Sequence, residues 1–175
     1  MKKLFLLLVF ICSSFNSFSE NQGDTNYWVR GYTHFNNNEP FAIYYDFYDS
    51  CFIAMVDLQP NQEAGYMVTI IDNKKNFFYV RFDYPDIGKA WIKKGDVGLH
   101  IRGLESYGDN NLIPIHKKPF LKSQITGYII YPQHVPILDE SNHWVYIKAI
   151  DKDNKEIEGW LAPSYQCGNP YTTCP

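Results

Sequence analysis

Apolar and polar side chains alternate in short runs along most of the chain from residue 65 onward. Val68 and Ile70 share one parity, and after the polar stretch 72–75 so do Phe78 and Val80. Successive side chains of a strand point to opposite faces, so period-two runs bounded by Asn, Asp and Gly predict antiparallel strands. The stretch 72–75 is therefore predicted to be the turn between two such strands.

A second passage repeats this plan. Strands are predicted over 135–138, 144–150 and 156–161, with polar turns at 139–142 and 151–155. The sequence contains no convincing amphipathic helical period, and its Gly and Pro residues are scattered, as in chains of short strands joined by turns. The pattern predicts an all-β protein.

The two passages are copies of one internal repeat. VTIIDNKKNFFYVRF, which starts at Val68, aligns without a gap with VPILDESNHWVYIKA, which starts at Val135. Two further pairs of segments correspond, KAWIKKGDVGL with EGWLAPSYQC and AIYYDF with PIHKKP. Identities are few, so the shared order of strand, acidic turn and aromatic-led strand carries the alignment.

The second copy resembles the bacterial SH3-like family, whose small barrels are common in exported and cell-wall proteins. LIPIHKKPFLKSQITGYI resembles the opening strand and its long loop, HVPILDESNHWVYIKA the strand, turn and aromatic-led strand, and EIEGWLAPSYQ the closing Gly-Trp-aliphatic strand. The first copy departs from this pattern, with Phe77 where Trp is usual and Ala90 before Trp91 where Gly is usual. The resemblance implies two small SH3-like barrels packed together, over 41–102 and 112–175.

The N-terminus has the three-part layout of a secretory signal peptide, predicted over residues 1–19. Lys2 and Lys3 precede an apolar run that is too short to span a bilayer, and Ser17 and Ser19 suit cleavage before Glu20. A lipoprotein with a modified cysteine at residue 12 is the alternative. The remaining chain, with an N-terminal extension over 20–40, is expected to be periplasmic or secreted and to have no transmembrane anchor.

Three cysteines follow this segment. In an oxidising compartment, Cys167 and Cys174 are predicted to form a disulfide that closes a small C-terminal loop. Cys51 lies among apolar residues, which indicates a buried, inert thiol.

Composition and motifs give no sign of catalysis. A net charge of −3 offers no reason to expect nucleic acid as a partner. The five His residues lack metal-ligand spacing, so no metal and no cofactor are predicted. A hydrolase that pairs Cys51 with a histidine is an alternative, but no predicted helix start would activate the thiol. Lys117, Lys118 and Lys122 form a basic spot that suits either a solvated loop or an acidic ligand.

Aromatic residues make up 17% of the chain, and they supply the candidate binding residues. The SH3-like resemblance implies a shallow groove that binds a cell-envelope ligand such as a peptidoglycan peptide, without bond chemistry. The residues it places there are Tyr44, Tyr45, Phe47 and Tyr48 in the first copy and His116, Phe120, Tyr128, Tyr131 and Trp144 in the second. Tyr45 and Tyr48 are expected to be the most exposed. The alternative function is an envelope scaffold or inhibitor that acts by contact with another protein.

Overall fold

The structure, a computed structural model, describes residues 29–33, 40–57, 65–83, 87–102, 112–130 and 132–169. Within these ranges the chain is all-β, as predicted. The strands are β1 (Arg30–Tyr32), β2 (Phe41–Tyr44), β3 (Phe52–Val56), β4 (Met67–Lys74), β5 (Phe77–Phe82), β6 (Lys89–Lys93), β7 (Gly98–Ile101), β8 (Leu112–His116), β9 (Ile125–Ile130), β10 (His134–Ser141), β11 (Trp144–Ile150), β12 (Glu156–Leu161) and β13 (Gln166–Cys167). Two short 3₁₀ helices, Asp49–Cys51 and Pro163–Tyr165, complete the described elements.

The strands pair antiparallel in one continuous order, which runs β3-β2-β6-β5-β4-β1-β7-β10-β11-β12-β8-β9, with β13 beside β7. β3 and β9 stand at its two ends, so the order is open among the described strands. Both copies of the repeat belong to it. They are therefore joined by paired strands and not only by packed side chains.

Strand pairing repeats between the copies. The pairs β2–β3, β4–β5, β5–β6 and β2–β6 recur as β8–β9, β10–β11, β11–β12 and β8–β12. The registers also agree, because Tyr79 lies opposite Trp91 in the first copy and Tyr146 lies opposite Trp160 in the second. The alignment drawn from the order of turns and aromatic residues thus matches positions that are equivalent in three dimensions.

The hairpin turns are shorter than the sequence pattern predicted. The β4–β5 register shifts between Ile70 and Asp72, and the β10–β11 register shifts between Ile137 and Asp139. A β-bulge at such a shift adds one residue and reverses the inside-outside parity. The polar residues after it therefore continue the strand to Lys74 and to Ser141, which leaves two-residue turns.

The copies meet through β1 and β7. β1, which belongs to the predicted N-terminal extension, lies inside the strand order, between β4 and β7. β7 pairs with β10 of the second copy and also with β13. Gly31 of β1 is required here, since a Cβ at this position would lie 2.6 Å from Val97 Cγ1 and 2.7 Å from the backbone oxygen of Gly98.

One hydrophobic core includes residues of both copies. Phe78 and Ile92 from the first copy and Ile137 and Ile147 from the second are fully buried within the same cluster. Each Å² of apolar surface that is buried stabilises the fold by about 25 cal/mol. One shared core buries more of this surface than two separate units of about 60 residues each, so it is the more stable arrangement.

Cys51 is buried, as predicted. Cys167 is also buried. Cys174 lies outside the described residues, so the Cys167–Cys174 pairing stays a prediction. The predicted signal peptide, residues 1–19, also lies outside them. Among the described residues, no helix has the length and apolar character needed to cross a membrane.

Candidate functional site

The first copy brings four rings together, here named the first ring cluster: Tyr44 of β2, Phe77 and Tyr79 of β5, and Trp91 of β6. Tyr44 meets Phe77 edge-on at 5.1 Å between ring centroids, and Tyr79 lies 5.0 Å from Trp91. Tyr44, Phe77 and Trp91 are buried, while Tyr79 is partly exposed. Three of the four rings are therefore held inside the fold, and only Tyr79 presents part of its ring to solvent.

The loop between β2 and β3 adds two further rings beside this cluster. Phe47 packs on Trp91 at 5.3 Å, and Tyr48 lies 4.6 Å from Phe47. Backbone hydrogen bonds from Tyr45 to Cys51 and from Cys51 to Tyr48 hold the loop in this conformation. Tyr45 is 72% exposed, the highest value among the candidate residues that the structure describes, as predicted, whereas Tyr48 at 46% is less exposed than Phe120 at 50%.

Two lysines accompany these rings, and sequence reasoning missed both. The Lys75 ammonium lies 4.4 Å from the Tyr48 centroid and 5.5 Å from that of Phe47. Lys93 lies 5.7 Å from the Tyr44 centroid and forms an ion pair with Asp49 at 2.7 Å. No carboxylate among the described residues forms an ion pair with Lys75, so its charge is available to a ligand.

Lys75 also has an unusual backbone conformation. Its φ of 47° lies in the left-handed region, which residues other than Gly, Asn and Asp seldom adopt. Asn142 holds the equivalent position of the second copy with φ 50°. A lysine thus occupies a position that suits asparagine, and the turn points its ammonium at the Tyr48 ring.

The second copy has the equivalent rings, here named the second ring cluster: His116 of β8, Trp144 and Tyr146 of β11, and Trp160 of β12. His116 meets Trp144 edge-on at 5.2 Å, and Tyr146 meets Trp160 edge-on at 5.4 Å. His116 and Trp144 are buried, at 4% and 7% exposed. Sequence reasoning placed both in the groove, and the structure brings them into contact but leaves them little surface.

The other predicted residues of the second copy do not join this cluster. Phe120 lies in the β8–β9 loop and is 50% exposed, and Tyr128 lies in β9 opposite Pro114. Neither makes a ring contact with the second ring cluster among the described residues. Tyr131 lies outside the described residues. The first copy is therefore the stronger candidate for a binding surface.

Charged groups also connect the copies. The Asp139 carboxylate accepts hydrogen bonds from Lys94 Nζ and from Asn73 Nδ2, both at 2.7 Å. Burial alone would raise the pKa of Asp139, but the hydrogen bonds from Lys94, from Asn73 and from the Glu140 backbone lower it overall. The network ties the end of β4 and the residue after β6 to β10.

Two histidines stack where β7 meets β10. The rings of His100 and His134 lie 4.3 Å apart at an angle of 18°, and the Tyr32 hydroxyl contacts His134 Nδ1. Burial lowers the pKa of His100, and the neighbouring His134 lowers it further. Burial raises the pKa of Tyr32. No group of three or more His, Cys, Asp or Glu among the described residues could hold a metal ion.

Comparisons with known proteins do not identify a family for this chain. No protein-family model matches the chain, and no curated protein matches it. The solved structures that are similar include NlpC1 and NlpC2 from Trichomonas vaginalis, each with 14% sequence identity. NlpC1 aligns over 86% of this chain and 48% of its own, with a TM-score of 0.32, and NlpC2 over 79% and 47%, with a TM-score of 0.30. The chain thus spans about half the length of these structures, and scores this low say nothing of its function.

Proposed function

We propose that this protein is an exported, non-catalytic binding module, in which two SH3-like units recognise a peptide of the cell envelope. The observation that carries the proposal is the pairing of Lys75 with the exposed Tyr48 ring, directly beside the first ring cluster. An aromatic face offers contact area at low entropic cost. A peptide carboxylate is the natural partner of the adjacent ammonium, because charge-assisted hydrogen bonds are stronger than neutral ones.

Peptidoglycan stem peptide is the proposed ligand, for two reasons. The N-terminal layout indicates export, and the resemblance of the second copy implies a cell-wall setting. The peptide would lie extended over Tyr48 and Tyr79, with a carboxylate at Lys75. The ligand is held in this way without any bond being made or broken.

Retention on purified, insoluble peptidoglycan tests this proposal. The folded protein is expected to sediment with the cell wall, and Lys75→Met is expected to weaken binding about tenfold through loss of a charge-assisted contact. Lys74→Met is the matched control, since this neighbouring lysine has no aromatic ring beneath it among the described residues and lies 3.7 Å from Asp72. Absence of retention, with the protein folded by circular dichroism, would reject the peptidoglycan ligand.

A scaffold or inhibitor role is the second candidate, and the exposure of β3 favours it. β3 stands at one end of the strand order, with Phe52, Ile53 and Met55 each more than half exposed. Natural edge strands are usually protected by charge or proline, and this strand carries neither. Crosslinking in intact cells separates the roles, because a scaffold would give one dominant protein partner that Met55→Lys abolishes.

A further inference from the structure

The loop between β8 and β9, residues 117–124, combines an apolar tip with positive charge. Leu121 is 74% exposed, the highest value for a large hydrophobic side chain among the described residues, and the adjacent Phe120 is 50% exposed. Lys117, Lys118 and Lys122 flank this pair, and all three are exposed. Within the described part of the chain, none of these lysines forms an ion pair.

Hydrogen bonds hold the loop in one conformation. The Lys117 amide donates to the Gln124 carbonyl at 2.8 Å, and the Ser123 amide donates to the Phe120 carbonyl at 3.0 Å. The Lys118 amide donates to Ser123 Oγ at 2.8 Å, and His116 Nδ1 lies 3.3 Å from the Ser123 carbonyl. The entropy of ordering is therefore lost during folding and not on binding.

The loop also contrasts with the rest of the molecule in charge. The whole chain has a net charge of −3, whereas 117–124 contains three lysines and no acidic residue. An anionic surface would attract this loop and repel the remainder, so it would orient the protein with the loop foremost. The loop belongs to the second copy, whereas Tyr48 and Lys75 belong to the first.

We propose that residues 117–124 dock the protein on an anionic membrane surface. Leu121 and Phe120 enter the boundary between headgroups and acyl chains, while the three lysines contact lipid phosphates. A protruding apolar pair suits this partner, because a lipid interface accepts it without a shaped pocket. A soluble acidic protein could satisfy the lysines, but it would need a matching cavity for two adjacent bulky side chains.

Vesicle co-sedimentation of the purified protein tests the proposal, with phosphatidylglycerol vesicles compared with neutral phosphatidylcholine vesicles. Binding to the anionic vesicles is expected to weaken on the order of 100-fold when all three loop lysines become Gln, at about fivefold each. Leu121→Ser is expected to weaken it about tenfold. Ile150→Ser is the matched apolar control and should leave vesicle binding unchanged, because Ile150 is 43% exposed and lies on β11, outside the loop.

A fluorescence measurement at residue 121 tests whether this loop itself enters the membrane, as opposed to another part of the chain such as the apolar N-terminal run. In Leu121→Trp, brominated acyl chains in anionic vesicles are expected to quench the added indole beyond the quenching seen in the unmodified protein. No added quenching, or equal binding by the lysine variant and the unmodified protein, would overturn the proposal. Binding that needs the lysines but not Leu121 would also overturn it, because the apolar pair would then not enter the membrane.

Discussion

Replacement of Gly31 by Ala tests how the two copies are joined. A Cβ at this position would lie 2.6 Å from Val97 Cγ1, 2.7 Å from the Gly98 oxygen and 3.3 Å from Ile137 Cδ1. The Gly98 oxygen is backbone of β7, so no side-chain rotation relieves the contact, and β1 and β7 must separate.

The magnitude follows from two opposing terms. Loss of glycine's conformational freedom in the unfolded chain would stabilise the Ala variant by about 0.4–1 kcal/mol. Overpacking of a closed site costs about 1–3 kcal/mol and more where the backbone must move. We therefore expect Gly31→Ala to lower the free energy of unfolding by about 2–3 kcal/mol.

Urea denaturation followed by circular dichroism measures this change as a shift in midpoint. Gly127→Ala is the matched control in β9, where the nearest atom, 2.3 Å from the added Cβ, is Ile157 Cδ1. That atom is the end of a flexible side chain, so a cost below about 1 kcal/mol is expected. Equal stability of the two variants would show that β1 is not held between β4 and β7.

Three further predictions concern charge and the shared core. Asp139→Asn should destabilise the protein by about 1–2 kcal/mol at neutral pH, a value reduced for partial exposure, because Lys94 loses its partner. The lowered pKa of Asp139 stabilises the fold above the usual pKa of aspartate, so titration from pH 5 to about pH 2 should show a smaller loss of stability in this variant. His100 has a lowered pKa in the fold, so stability should fall as pH drops below about 6.5, and His100→Gln should flatten that slope in urea titrations at several pH values. Ile70→Ala and Ile137→Ala should each cost about 2–5 kcal/mol with one calorimetric transition, whereas two transitions in either variant would contradict a single core.

Much of the fold could be predicted because both copies of the repeat contain the residue types that strands and turns require, in the same order. Alternation over 77–82 placed Phe78 and Val80 on one face of a predicted strand, and the structure buries both. The strand ends were less predictable, because a bulge at Ile70/Asp72 leaves no distinct mark in the sequence. β1 was difficult to predict for a related reason. It has only three residues, and its position is determined by pairing with β4 and β7, which the sequence does not show.

The candidate site was predicted only in part. Tyr48 and Phe47 were identified, whereas Tyr79 and Trp91 were not, although their partners in the repeat alignment are aromatic too. Alternation shows which face a ring occupies but not which rings meet across strands. Lys75 was missed because a turn lysine usually lies in solvent, and only the structure shows the Tyr48 ring beneath it.

Chemical-shift mapping with a soluble muropeptide tests most directly whether the first copy binds a carboxylate-bearing peptide. In ¹H–¹⁵N spectra, we expect saturable shifts at Tyr48, Lys75 and the Trp91 indole, with smaller shifts when the peptide carboxylates are amidated. Shifts confined to Trp144 and Trp160, or none at a muropeptide concentration far above that of the protein, would contradict the proposed site.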